Sequence, residues 1–242
     1  MKIIKNLLLQ ILTLLHGLWS KKNFEHNARF WSNQILSTVA HNFTGDIANI
    51  SGGKDQDKQH KTYKEYFSNA RSYTITNYIK ELDNDIVLDL SKPIDKNHDL
   101  YQKYDVVLTH TVLEHIFDTQ TAISNLCSIS RDIVITIVPF IQAFHCRETF
   151  SDYWRFSPHA VIALFNKHGF KTLHIDWNDD PFGNIYIFHI ASKNPDKWNT
   201  INSFNKISKK VYPGMKRQIF LTPFIKKKIK YIDPLNKLNQ IK

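Results

Sequence analysis

Histidine is the side chain that exchanges protons near neutral pH. Two of them, His110 and His115, sit in the run Thr109-His110-Thr111-Val112-Leu113-Glu114-His115, directly after an apolar stretch. Either is suited to take a proton from a nucleophile. The plainer alternatives are that His110 lines a wall and that His115 packs at the start of the following helix. A second cluster gathers His145, Glu148, Asp152, Tyr153, Trp154 and Arg155. Tyr153 and Trp154 can stack on a sugar or another flat acceptor, and Arg155 can hold a carboxylate or phosphate; equally, the Tyr-Trp-Arg unit can pack its loop against the rest of the fold. Small and polar residues also adjoin apolar segments at Asn49-Ile50-Ser51-Gly52-Gly53, Thr76-Asn77-Tyr78 and Asp89-Leu90-Ser91. His110, Glu114, His115 and His145 match no metal-ligand spacing, so no metal is expected.

These clusters must be positioned by regular elements. Short apolar runs that read as buried strands fall at 47–50, 73–76, 86–88, 104–108, 133–138, 173–177 and 185–191, with helical stretches at 63–70, 120–128 and 158–168. Strands alternating with helices predict βαβ units and a mostly parallel sheet. In such sheets ligands bind beyond the carboxyl ends of the strands, where these clusters lie. The helix from Pro158 has clear punctuation, with Ser157 as N-cap, Pro158 at its first position and His168-Gly169 at its end. Ahead of the sheet, 24–39 has mixed helical spacing that puts Phe30, Trp31, Ile35, Leu36 and Val39 on one face.

The run Tyr104-Asp105-Val106-Val107-Leu108, followed by His110 and Val112-Leu113-Glu114-His115, resembles the fourth-strand motif of class I S-adenosylmethionine-dependent methyltransferases. Val138-Pro139-Phe140, Asp152-Tyr153-Trp154-Arg155-Phe156-Ser157-Pro158 and His168-Gly169-Phe170 resemble that family's closing segment, in the same order. The resemblance implies an α/β, Rossmann-like, seven-stranded, mostly parallel sheet with helices on both faces and the last strand antiparallel. It implies bound S-adenosyl-L-methionine and methyl transfer to a nucleophile. It further implies a cofactor site at Asn49, Ser51, Gly52, Gly53, Asn77, Asp89, Leu90 and His110, with catalysis by His110 or His115 and a substrate mouth at His145, Tyr153, Trp154 and Arg155.

The glycine-rich loop departs from the family pattern of an acid followed by three glycines at alternate positions. Asn49 stands at the acid, Ser51 and Asp55 at the outer glycines, and Gly53 alone keeps its place. Asn77 stands where the family ends its second strand with an acid that accepts from both ribose hydroxyls. An amide accepts through one oxygen and carries no charge. Asp89 is the acid left to contact the adenine amino group, or else it caps the next turn.

The resemblance covers 43–192, leaving an N-terminal helical extension over 1–42 and a basic tail over 193–242 with a short amphipathic helix near 220–232. Residues 1–200 carry 21 basic and 21 acidic side chains; from Ile201 onward there are 11 basic residues and one acid, Asp233. Such a tail attracts anionic surfaces or is simply solvated. Residues 3–19 are rich in Leu and Ile but are broken by Lys5, Asn6, Gln10, Thr13 and His16, and are short for a bilayer-spanning helix. The choice is between a helix packed on the domain and an interfacial helix on a membrane. An apolar helical face is more often core, which favours packing. Two cysteines, Cys127 and Cys146, suit a reducing cytosol, and a cytoplasmic protein is expected, with peripheral membrane contact left open.

The expected function is methyl transfer to a small molecule or glycan precursor, with surface polysaccharide chemistry as the preferred class. The alternative is a non-catalytic relative, a binding or scaffolding module whose altered loop has lost the cofactor. A nucleic-acid methyltransferase ranks last, because the charge excess lies outside the domain. A dinucleotide-binding domain is set aside, since Gly52-Gly53 lacks the G-x-G-x-x-G pattern.

Overall fold

The computed structural model describes residues 28–80, 86–146, 149–178 and 184–198, together with Ile4, Leu7, Leu8, Gln10, Ile11, Leu12, Leu14, Leu15 and Leu18 of the leading helix. Glu148, the tail beyond 198 and the amphipathic helix expected near 220–232 lie outside the described residues.

Seven strands form one sheet: β1 (Gly45–Ile50), β2 (Ala70–Asn77), β3 (Ile86–Val87), β4 (Tyr104–His110), β5 (Ser130–Ile141), β6 (Lys171–Trp177) and β7 (Ile185–Ser192). Their order is β3-β2-β1-β4-β5-β7-β6, with β7 antiparallel to both neighbours and the remaining pairs parallel. This is the expected Rossmann-like arrangement. Strand order reverses between β1 and β4, so the carboxyl ends of these two strands flank the crevice where such sheets bind ligands.

The central strands are continuous apolar runs because both faces are covered. One face packs against helices α3 (Thr119–Ile129) and α4 (Pro158–Asn166), burying Ile123, Leu126, Ile162 and Phe165 against Val107, Val134 and Ile187. The other packs against α1 (Ala28–Val39), burying Leu36 and Val39 with Ile47, Leu108, Ile135 and Phe188. Caps fix the helix starts. The Asp118 carboxylate accepts the Thr121 N–H, and the Ser157 hydroxyl accepts the Ala160 N–H ahead of Pro158, as the punctuation predicts. The α4 turn closes when Phe170 donates to the Phe165 carbonyl.

Three elements differ from expectation. The helix expected over 63–70 is a single turn, α2 (Tyr63–Tyr66), and β2 begins at Ala70, where Arg71 and Ser72 reach the Asp46 carboxylate. The folded body also reaches past 43–192. Helix α1 contributes fully buried side chains to the core, and at the other end the Trp198 ring packs tilted against Phe43 at 5.3 Å and donates to Asp132. Finally, the leading helix does not bury its apolar face: Ile4, Leu7, Leu8, Ile11, Leu14, Leu15 and Leu18 are 47–72% exposed, which overturns the packing expectation for these residues.

Candidate active site

The loop after β1 is built by its backbone. Ser51, Gly53 and Asp55, the positions of the three family glycines, all take left-handed conformations, with φ of 54°, 59° and 57°. That region favours glycine and costs other residues roughly 1–2 kcal/mol each. Asp55 is held there by hydrogen bonds. Its carboxylate accepts the Asn49 carboxamide (2.8 Å), the Tyr73 hydroxyl (2.7 Å) and the Lys64 N–H (3.0 Å), and its carbonyl accepts the Tyr63 N–H (2.9 Å). Gly52 is required for the same packing, because a Cβ there would lie 2.5 Å from Nδ2 of Asn49.

Asn77 locks the loop to β2: it accepts the Gly53 N–H at 2.8 Å and donates to the Gly53 carbonyl at 3.1 Å. Asn49 and Asn77 therefore hold the loop itself. Leu90 is buried in the core and its carbonyl accepts from Asn125. Asp89 uses Oδ1 to accept the Ser91 N–H and hydroxyl, the turn-capping role, while Oδ2 takes no hydrogen bond among the described residues. Space remains over the loop, where a Cβ on Gly53 would meet nothing within 4 Å. These residues fit S-adenosylmethionine approached by backbone at Gly53 and an acid at Asp89, while Asn77 holds the loop at Gly53.

His110 is also committed. Its Nδ1 meets the Arg29 guanidinium, a donor only, and its Nε2 lies 3.0 Å from the Ser32 hydroxyl, whose own proton goes to the Arg29 carbonyl. The ring is thus neutral, with its proton on Nε2. Burial, aided by the Arg29 charge, holds its pKa well below the usual histidine value. Arg29 also donates to the Thr111 hydroxyl at 2.9 Å. His110 has no free nitrogen to take a substrate proton.

The available histidines stand beyond β4 and β5. His115 places Nδ1 2.7 Å from the Ser151 carbonyl, which assigns the proton to Nδ1 and leaves Nε2 facing Oε1 of Glu114 at 3.8 Å. Burial lowers its pKa. The His145 ring meets it edge-on at 4.9 Å, and Phe150 packs on both. Nδ1 of His145 lies 3.1 Å from Oδ2 of Asp152, off the line of a hydrogen bond, so the carboxylate acts on the ring mainly through its charge. Asp152 itself is fixed by a two-pronged contact from Arg155 (2.6 and 2.7 Å) and by the His145 N–H, which hold its pKa down at about 2.

Arg155 spends its remaining donors on the carbonyls of Gln142, Ala143 and Trp154. It organises the mouth and has no free fork for a substrate anion. Trp154 donates to the carbonyls of Ile116 and Phe117, and Phe117, Tyr153 and Trp154 form an exposed aromatic collar, Phe117 to Tyr153 being 5.4 Å edge-on.

Glu114 lies beneath this mouth, fully buried, with neither carboxyl oxygen hydrogen-bonded among the described residues; burial raises its pKa to about 8. At neutral pH it is mainly a carboxylic acid. No group of three or more His, Cys, Asp or Glu able to hold a metal occurs among the described residues.

Sequence reasoning passed over Arg29 and Ser32 because they share a helix with a conspicuous apolar face. The only signal was polar residues one turn apart on the side that proves buried. The spacing of Asp152 and Arg155, three residues apart in a loop, was a legible sign of an ion pair. A separate cleft of about 620 Å³ lies at the amino ends of the strands, where Arg71 and Arg131 pair with Asp46 and Asp105.

No protein-family model matches the sequence, and no curated protein does. Solved structures match its fold. Burkholderia thailandensis 1,6-didemethyltoxoflavin-N1-methyltransferase, with bound 1,6-didemethyltoxoflavin and S-adenosylhomocysteine, is 12% identical with a TM-score of 0.53 over 78% of this chain and 89% of its own. A protein in complex with the Haloferax volcanii Trm112 methyltransferase activator is 10% identical with a TM-score of 0.51, over 73% and 96%. The trans-methyltransferase CalH, in complex with SAH, is 13% identical with a TM-score of 0.50, over 67% of this chain and 57% of its own.

Proposed function

We propose that this chain, which has the fold of class I S-adenosylmethionine-dependent methyltransferases, transfers a methyl group from S-adenosylmethionine to a hydroxyl of a small molecule or glycan precursor. The observation that carries the reading is the loop after β1. Ser51 and Asp55 differ from the family's glycines in side chain, yet positions 51, 53 and 55 all keep the backbone that glycine suits, with Gly53 opening onto free space. The sequence change is thus absorbed by the Asn49–Asp55–Tyr73 hydrogen bonds, and the loop's shape remains fit for close approach.

S-adenosylmethionine, when bound, supplies an electrophilic methyl group on its sulfonium. Backbone at Gly53 would admit it to the loop, and Asp89 would offer Oδ2 to the nucleoside. His145, its Nδ1 facing Asp152, would take the acceptor's hydroxyl proton on Nε2, and the same Asp152 carboxylate would stabilise the imidazolium that results. His115 orients the His145 ring by edge-on packing. Phe117, Tyr153 and Trp154 offer flat faces suited to the apolar face of a sugar, which is the support for a glycan acceptor. The small-molecule ligand in the Burkholderia enzyme is consistent with that scale of acceptor.

Calorimetric titration with S-adenosylmethionine and S-adenosylhomocysteine tests the reading. Micromolar binding, about −8 kcal/mol, lost in Gly53→Val and weakened in Asp89→Ala, supports it. A folded protein that binds neither at millimolar concentration overturns it and leaves a methyltransferase-like binding module.

A further inference from the structure

We propose that the leading helix docks this protein on an anionic lipid bilayer, lying in the plane of the interface. The inference does not depend on the methyltransferase reading. Ile4, Leu7, Leu8, Ile11, Leu14, Leu15 and Leu18 recur at the three- and four-residue spacing of one helical face, and every one is exposed. Aliphatic side chains this large, aligned and held in water are the mark of a surface made to be covered.

Charge selects the cover. Residues 1–24 contain Lys2, Lys5, Lys21 and Lys22 and no acid, and the chain from Ile201 adds 11 basic residues against one acid, while residues 25–200 between them carry 17 basic against 21 acidic side chains. A second copy of the helix would bring like charges together. An anionic bilayer satisfies both the stripe and the lysines, the pairing of apolar insertion with basic attraction that holds interfacial helices. Trp19 follows the stripe directly, and tryptophan favours the headgroup level. Among the described residues no helix is long and apolar enough to cross a membrane.

Flotation of the full chain with vesicles tests this. Binding is expected to vesicles of phosphatidylcholine with phosphatidylglycerol, to be weak with phosphatidylcholine alone, and to fall as salt rises. The double variant Leu8→Glu/Leu15→Glu is expected to bind at least about tenfold more weakly, with an unchanged unfolding midpoint because the stripe is outside the core. Lys226→Gln/Lys227→Gln/Lys228→Gln is expected to reduce binding less and to flatten the salt dependence. The proposal is overturned if the parent does not float with anionic vesicles, or if the double variant floats equally well. A double variant with a lowered unfolding midpoint also overturns it, because the stripe then packs on the body. So does light scattering that finds a parent dimer made monomeric by the double variant, because the stripe then joins two copies.

Discussion

Asp152 grips His145 twice: Oδ2 lies 3.1 Å from the ring Nδ1 and accepts the His145 backbone N–H at 2.7 Å. The carboxylate that fixes the loop is therefore also the charge that faces the ring. Replacing His145 by Ala is expected to lower kcat about a hundredfold or more, the usual range for loss of a general base. Asp152→Asn keeps the shape and removes the charge, and should lower kcat by a smaller factor with KM little changed. His110→Asn should act instead by lowering the unfolding midpoint. Initial-rate kinetics on an acceptor found by screening, alongside thermal unfolding, separate these outcomes.

Glu114 makes stability depend on pH in the alkaline direction. Its folded pKa of about 8 lies above the ordinary 4.5, so between these values the folded state holds a proton that the unfolded state has released. Its contribution is complete below about 4.5 and is lost as pH rises through about 8, worth several kcal/mol by linkage. Urea unfolding from pH 5 to 9 should show stability falling, and Glu114→Gln should flatten that slope.

His174 and His189 act in the opposite sense. Burial lowers their pKa values to about 4 and about 3, from 6.5. Both stay neutral in the fold while the unfolded chain takes up protons, so stability is complete above about 6.5 and is lost as pH falls through 4 and then 3, by a few kcal/mol each. Acid unfolding followed by circular dichroism should show a steep loss below pH 5. His189→Leu should shift it to lower pH, provided that the loss of the 2.9 Å contact with Thr172 is tolerated.

Asn77→Asp tests the altered cofactor loop. An aspartate keeps the Gly53 N–H as a partner, but it loses the donor to the Gly53 carbonyl. The variant is expected to bind S-adenosylmethionine up to about tenfold more tightly, through a charge-assisted bond to the ribose, and to unfold at lower temperature by about 1–2 kcal/mol. Calorimetry and thermal unfolding on one preparation read both effects.

Asp55→Ala removes the group that holds the left-handed turn. Asn49 and Tyr73 would each keep a donor without its acceptor, and alanine would carry the same φ strain. A loss of about 2–4 kcal/mol is expected in urea unfolding. Asp55→Gly relieves the strain alone and should cost less.

The residues themselves determined the α/β alternation, the strand cores and the Ser157-Pro158 start of α4. Those features rest on local periodicity and on short-range capping, which act within a few residues. The tertiary structure alone decided what each polar group does. His110 is closed by Arg29 and Ser32, which precede it by 81 and 78 residues, and Asn77 is tied to Gly53, 24 residues away. Among the described residues Glu114 is buried with its carboxyl group taking no hydrogen bond, and Ile4, Leu7, Leu8, Ile11, Leu14, Leu15 and Leu18 of the leading helix, apolar enough to be core, are exposed. Partners and burial at such separations are set by how the sheet and helices stack, and a buried polar group must answer to whichever neighbours that stacking supplies.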